Sequence, residues 1–195
     1  MGRGEVVARV QGGPIRHVKS TVICASIESI RTLGKFDAYT RLLAPAHAGQ
    51  VLGAIAGTWL PIEAGVAHYA ACDALELDRD VIASIATASI RRMQQSVFNT
   101  LALLAQHAGA DPWTILAAYP RLWNRHFDGG GVTVTRLGPK DALCELRDLP
   151  FCRFPYFRTA HVEQVRFGAS RFASTVRARD QGSTATSLSV AVAWV

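Results

Sequence analysis

The hydrophobic period of this chain changes at three consecutive glycines, residues 129–131, and this change limits the possible folds more than any other feature. Before the glycines, apolar residues recur in steps of three and four, which places them on one face of a helix. After them, Val132 and Val134 alternate with Thr133 and Thr135, the period of a strand. The sequence therefore predicts a helical first half followed by a β-sheet.

The longest predicted helix spans residues 79–107 and is capped by Asp78. Shorter helical patterns begin at Phe36 and cover residues 62–77, and a further helix starts at Pro112 with Asp111 as its cap. An interior proline loses a hydrogen bond, so Pro120 is expected to kink or divide that helix. The apolar stripe of the longest helix comprises Ile82, Ala86, Ile90, Met93, Val97, Leu101, Leu104 and Ala108.

Strands are expected at both ends of the chain. Residues 1–17 are interpreted as a tail or short strand preceding a single domain over residues 18–195, and the β-branched residues of 18–23 favour a strand. After the glycines we predict a hairpin and a helix over 155–167. Two strands follow, over 171–179 and 184–195, joined by a turn at 180–183. The predicted class is α+β, with an N-terminal helical half packed on a C-terminal antiparallel sheet in the order strand, strand, helix, strand, strand.

No pattern in the sequence specifies a reaction. The histidines lack metal-ligand spacing, and no G-x-S-x-G nucleophile motif is present. The four cysteines form no C-x-x-C pair and are read as buried apolar groups, with a reactive Cys152 as the alternative. We expect no catalytic residue, no metal, no cofactor and no enzymatic activity.

Charged residues make up 18% of the chain, below the usual share of about 25%. Some apolar surface is therefore expected to meet a partner. Pro61, Glu63, His68 and Asp73 interrupt the most apolar stretch, so we expect no transmembrane segment. Without an apolar leader at the N-terminus, the protein is expected to be cytoplasmic.

Aromatic residues of the helical half are the candidate ligand-binding groups. Trp59, Tyr69, Tyr119 and Trp123 are predicted to line a pocket for a small apolar ligand between the helices and the sheet. The alternative is that these rings form ordinary core.

Two other functions stay open at this point. A homodimeric assembly module would use the Ala- and Gly-rich helix of residues 62–77 as its interface. Nucleic-acid binding would use the second half of the chain, where residues 119–179 hold 11 basic and 5 acidic side chains. These basic residues are spaced singly, which favours a solvated face.

Three segments carry a resemblance to a known family: YPRLWNRHFDGG at residues 119–130, VEQVRFGA at 162–169, and the closing Ala193-Trp194. With the predicted element order, they resemble a family of uncharacterised, largely myxobacterial proteins. That family is similar to 4-vinyl reductase domains and to the fold shared by haem–nitric oxide sensors and TRAPP Golgi-transport subunits. The resemblance implies a non-catalytic domain for ligand sensing or assembly.

Two cofactors known among these relatives are not expected here. Zinc-binding members are similar in having cysteines near the final hairpin, whereas residues 179–194 contain none. Haem sensors carry a Y-x-S-x-R motif after a helix histidine. The corresponding FASTVR at residues 172–177 lacks the tyrosine and has a different spacing.

Overall fold

The computed structural model describes residues 4–93 and 111–195 of the chain. The predicted α+β class is confirmed, with helices packed on an antiparallel sheet. The helices are α1 Ser20–Thr32, α2 Phe36–Leu42, α3 Pro45–Leu52, α4 Ile62–Asp73, α5 Arg79–Met93, α6 Pro112–His126 and α7 Pro155–Ala169, with a 3₁₀ turn at Pro150–Arg153. The strands are β1 Glu5–Gln11, β2 His17–Lys19, β3 Trp59–Pro61, β4 Phe127–Asp128, β5 Gly131–Gly138, β6 Asp141–Arg147, β7 Val176–Ser183 and β8 Leu188–Trp194.

Five strands form the main sheet in the order β1-β5-β6-β8-β7, with every neighbouring pair antiparallel. One face is apolar because the strands alternate, and Val134, Cys144 and Val190 lie side by side across its centre. The predicted apolar side of the last strand is buried, as the pattern of β8 shows. A smaller sheet, β3-β2-β4, connects α6 to the start of α1.

Helix α4 lies inside the molecule and is buried on most of its circumference. Its small residues allow close packing within the chain: a Cβ added at Gly65 would lie 2.5 Å from Cζ of Phe151 and 3.0 Å from Cγ1 of Val18. The structure does not support this helix as the predicted dimer interface, because most of it is buried within the chain. Homodimerisation itself stays a prediction.

The segment 18–23 is not a strand throughout. Strand β2 ends at Lys19 and α1 begins at Ser20, because Ile23, Ile27 and Ile30 recur at helical spacing and are buried together. The Ser20 hydroxyl donates to the Ile55 carbonyl at 2.7 Å and accepts from the Thr58 backbone N–H at 3.0 Å, which fixes the start of α1.

Two further boundaries differ from the prediction. The last hairpin turns at residues 184–187, where the Thr184 hydroxyl accepts from two backbone N–H groups, instead of at 180–183. Helix α6 runs undivided through Pro120, whose buried ring packs in the core. The part of the predicted helix beyond Met93, with Val97, Leu101, Leu104 and Ala108, lies outside the described residues.

Within the part of the chain that the structure describes, no helix combines the length and apolar character needed to cross a membrane.

The substitutions Gly65→Ala and Gly49→Ala test the packing of α4. An added methyl at Gly65 meets the Phe151 ring, so we expect a loss of about 1–3 kcal/mol in the free energy of unfolding. Gly49 lies in α3 with nothing within 4 Å of an added Cβ, so there the same change should stabilise by up to about 1 kcal/mol. Urea unfolding of both variants measures the difference, and equal effects would contradict the close contact.

Candidate functional site

A largely apolar cavity of about 250 Å³ lies between α5, α6 and α7. We call it the helical cavity. Ile90 and Met93 of α5 form one wall, Ile115 and Leu116 belong to α6, and Val165 is on α7. Its polar wall residues are Tyr119, Arg125, His126, His161 and Gln164.

Two of the three helices around the cavity, α6 and α7, are fixed at their N-terminal ends by carboxylates. Asp111 accepts from the backbone N–H of Trp113 at 3.0 Å and caps α6, as the sequence predicted. The start of α7 is capped from another helix, because Asp73 at the end of α4 accepts from the Tyr156 N–H at 2.7 Å. Both helices begin with proline, a residue that has no N–H to leave unpaired.

A smaller cavity of about 90 Å³ continues the helical cavity toward the core and is called the inner cavity. Tyr69, Tyr119 and Trp123 all line it, so the structure brings together three of the four predicted ligand residues. The two cavities share walls formed by Ile90, Met93, Tyr119, Leu122, His126, His161 and Gln164.

Trp59, the fourth predicted residue, lies elsewhere. It is 43% exposed on β3, and the Lys19 ammonium lies 4.3 Å from its ring centroid. Trp59 lines an open surface cleft with His17 and Asp128. Hydrogen bonds from His17 and Arg16, each 2.9 Å long, hold the pKa of the Asp128 carboxyl below its usual value. The cleft and the helical cavity are lined by different residues.

The wall of the helical cavity includes a tyrosine–histidine pair. A hydrogen bond of 2.5 Å joins the Tyr119 hydroxyl to Nε2 of His161. The His161 ring also stacks on Phe157, with centroids 5.4 Å apart. Burial lowers the pKa of His161 to about 4, an effect that the nearby Gln164 side chain opposes. Burial raises the pKa of Tyr119, so both groups are neutral near pH 7.

His126, in the last turn of α6, is the second histidine in the cavity wall. Its Nδ1–H donates to the Leu122 carbonyl at 2.8 Å, which assigns the proton to Nδ1 because a carbonyl can only accept. Burial lowers the pKa of His126, with Arg125 and Lys19 acting in the same direction. The proton on Nδ1 makes Nε2 the acceptor of the neutral ring, and no group among the described residues donates to it.

The sequence reasoning did not select His126, His161 or Gln164. Helical spacing contains a partial signal, because Phe157, His161 and Gln164 lie four and three residues apart and share one face of α7. Helical spacing does not predict the contact between His161 and Tyr119, because these residues are 42 positions apart and lie on different helices.

The cysteines behave as apolar groups. Cys72, Cys144 and Cys152 are buried, and burial raises the pKa of the Cys144 and Cys152 thiols to about 12. A reactive Cys152 is therefore not supported, since the thiolate is the nucleophile. Residues 4–93 and 111–195 contain no group of three or more His, Cys, Asp or Glu side chains that could hold a metal ion.

A wider cleft of about 650 Å³ lies beside α4, α5, α7 and β7, and charged side chains of both signs line it. Several of these charges serve the fold. Asp73 caps α7, while Arg158 donates to the Cys152 carbonyl at 2.9 Å and lies 3.9 Å from Asp180. Asp73, Arg158 and Asp180 are therefore engaged within the fold.

Comparison with solved structures identifies the fold. The chain is similar to the Fe(II) unliganded H-NOX protein from K. algicida, with a TM-score of 0.62, 9% identity, and coverage of 91% of this chain and 96% of that one. It is also similar to the oxygen complex of an H-NOX domain related to soluble guanylate cyclases, with a TM-score of 0.57, 11% identity, and coverage of 90% and 94%. No family model and no curated protein matches the sequence.

These similarities extend over nearly the whole chain and establish an H-NOX-like fold. The predicted resemblance to the fold of haem–nitric oxide sensors is thereby confirmed. The relation to 4-vinyl reductase domains and to TRAPP subunits stays a prediction.

Protonation of His161 should make stability depend on pH. The unfolded histidine binds a proton below about pH 6.5, whereas the folded one does so only near pH 4. Stability should therefore be complete above pH 6.5 and fall as the pH drops to 4, by about 1.4 kcal/mol per pH unit for one proton. The double variant Tyr119→Phe/His161→Phe removes both partners of the hydrogen bond. Its unfolding free energy should depend less steeply on pH, by the contribution of about one proton.

Urea unfolding at several pH values between 4 and 7 measures that slope. Tyr119→Phe alone is the matched control, because it keeps His161 and should retain the pH dependence. An unchanged slope in the double variant would show that His161 does not titrate as its burial requires.

Proposed function

We propose that this protein is a non-catalytic, ligand-sensing domain that binds a small, mainly apolar molecule in the helical cavity. The observation that carries the proposal is an apolar cavity whose polar wall contains the neutral Tyr119–His161 pair. The fold adds support, because one structural neighbour is an oxygen-binding domain related to soluble guanylate cyclases. Fold similarity alone does not assign function, so the proposal depends mainly on the cavity.

The size of the cavity limits the ligand. An engineered apolar cavity of about 150 Å³ in another protein binds benzene, whereas sites for drug-sized molecules span about 300–1,000 Å³. The helical cavity, at about 250 Å³ with the 90 Å³ inner cavity beside it, fits a molecule of one or two small rings or a short aliphatic chain. Tyr69, Tyr119 and Trp123 are the predicted residues that we place at this ligand.

Haem is the group that the fold family implies, and the described residues fit it poorly. The helical cavity is smaller than the usual range for a drug-sized ligand, and haem is larger than most drugs. Haem also has two carboxylates, whereas the described wall contains one cationic side chain, Arg125. We therefore assign the cavity to a smaller, uncharged ligand.

The ligand could influence the surface through α6. This helix continues directly into β4, and Phe127 lines both the inner cavity and the surface cleft. A ligand that displaces Trp123 or Phe127 would move the β4 end of the smaller sheet, since their ring centroids are 4.3 Å apart. We therefore expect ligand binding to change the conformation of the three-stranded sheet.

Filling the helical cavity tests the proposal. An added Cβ at Gly168 has Cγ1 of Ile115 as its nearest described neighbour, at 3.9 Å, and Gly168 lines the cavity, so Gly168→Leu adds apolar volume there. We expect native mass spectrometry of freshly purified wild-type protein to show a retained small mass that Gly168→Leu has lost. Gly168→Ala, the control, should retain it, and neither change should destabilise α7 because Gly is the poorer helix former.

Three results would contradict this function. The wild-type protein could carry no added mass, Gly168→Leu could retain it, or the retained mass could be haem with its visible absorption band. The last result would show that the protein binds haem, although the described wall residues fit that cofactor poorly.

A further inference from the structure

The polar wall of the helical cavity includes a hydrogen-bond acceptor that no described residue uses. His126 donates through Nδ1 to the Leu122 carbonyl, and no described donor lies on its Nε2. His126 lines both the helical and the inner cavity, and its Nδ1 is taken by the backbone of α6, so Nε2 is the ring nitrogen left for a ligand. The other central polar groups, Tyr119 and His161, already bond to each other.

We propose that the ligand of the helical cavity is an uncharged molecule with one O–H or N–H group, which it donates to Nε2 of His126. This inference rests on the proposed function and specifies the chemical class of its ligand. A polar atom in an apolar cavity is costly when it is unpaired, so a ligand that donates there gains affinity over one that cannot.

The charge of the ligand follows from its surroundings. An anion would lose hydration in a wall of mainly aliphatic residues with Arg125 as its described cation, and Arg125 already takes part in another interaction. A cation would face the neutral rings of His126 and His161 without a carboxylate, since no Asp or Glu occurs among the described lining residues. A neutral donor meets neither penalty.

The position of the acceptor also orients the ligand. His126 is at the C-terminal end of α6, whereas Ile115 and Leu116 lie near its start and provide an apolar surface. A ligand bound through its donor to Nε2 therefore directs its apolar part along α6 toward the start of that helix. Ligands with the donor at one end fit this arrangement better than ligands with central donors.

Indole and benzofuran form a matched pair of probes, because they have nearly the same shape and only indole has an N–H donor. By calorimetric titration we expect the wild-type protein to bind indole about five- to tenfold more tightly than benzofuran, the effect of one neutral hydrogen bond. The ¹⁵N resonance of His126 Nε2 should shift with indole and stay unchanged with benzofuran, which locates the bond.

Substitution of the histidine completes the test. His126→Leu should lower indole affinity to that of benzofuran without changing the latter, whereas His47→Leu, the same change outside the cavity, should alter neither. The comparison of the two probes on the wild-type protein needs no variant to fold. Equal binding of both probes would overturn the role of His126 and leave the proposed function standing; binding of neither would count against the proposed function itself.

Discussion

The contact of the Phe151 ring with its neighbours joins the helical half of this protein to the sheet. Phe151 is fully buried in the 3₁₀ turn that follows β6, and its ring centroid is 4.6 Å from Tyr69 of α4 and 5.6 Å from Phe157 of α7. Gly65 leaves the space that this ring occupies. Because interiors are close-packed, the position of α4 relative to α7 depends on this absence of a side chain, and so does the position of the cavity walls.

The core also depends on buried histidines that are neutral and hydrogen-bonded. His68 is fully buried, joins the Tyr39 hydroxyl through Nδ1 at 2.8 Å, and has its pKa lowered by burial to about 3. His161 pairs with Tyr119 in the same manner beside the cavity. In both pairs a phenol satisfies an imidazole nitrogen without any charge, which allows polar groups in an apolar layer at small cost. What separates the two sites is space: a cavity borders His161, whereas His68 is enclosed by packed side chains.

The periodicity of apolar residues was sufficient to predict the fold class and most elements. Buried residues recur every three or four positions in a helix and every two positions in a strand. Periodicity was insufficient where tertiary contacts decide the outcome. The β-branched residues of 18–23 favour a strand locally, yet the burial of Ile23 with Ile27 and Ile30 makes most of that segment a helix. Trp59 was grouped with the other aromatic residues by composition, but the pairing of β3 with β2 places it at the surface.

The cavity illustrates how one fold accommodates different chemistry. Its walls come from α5, α6 and α7, and the H-NOX-like arrangement of these helices requires no particular ligand from the side chains between them. Here the described side chains are mainly aliphatic, with the neutral Tyr119–His161 pair, His126, Gln164 and Arg125 as the polar groups. Such a wall supplies mainly apolar surface with one described cation, whereas a charged cofactor needs cations to balance it. The likeness of fold therefore leaves the identity of the ligand to be decided by these side chains.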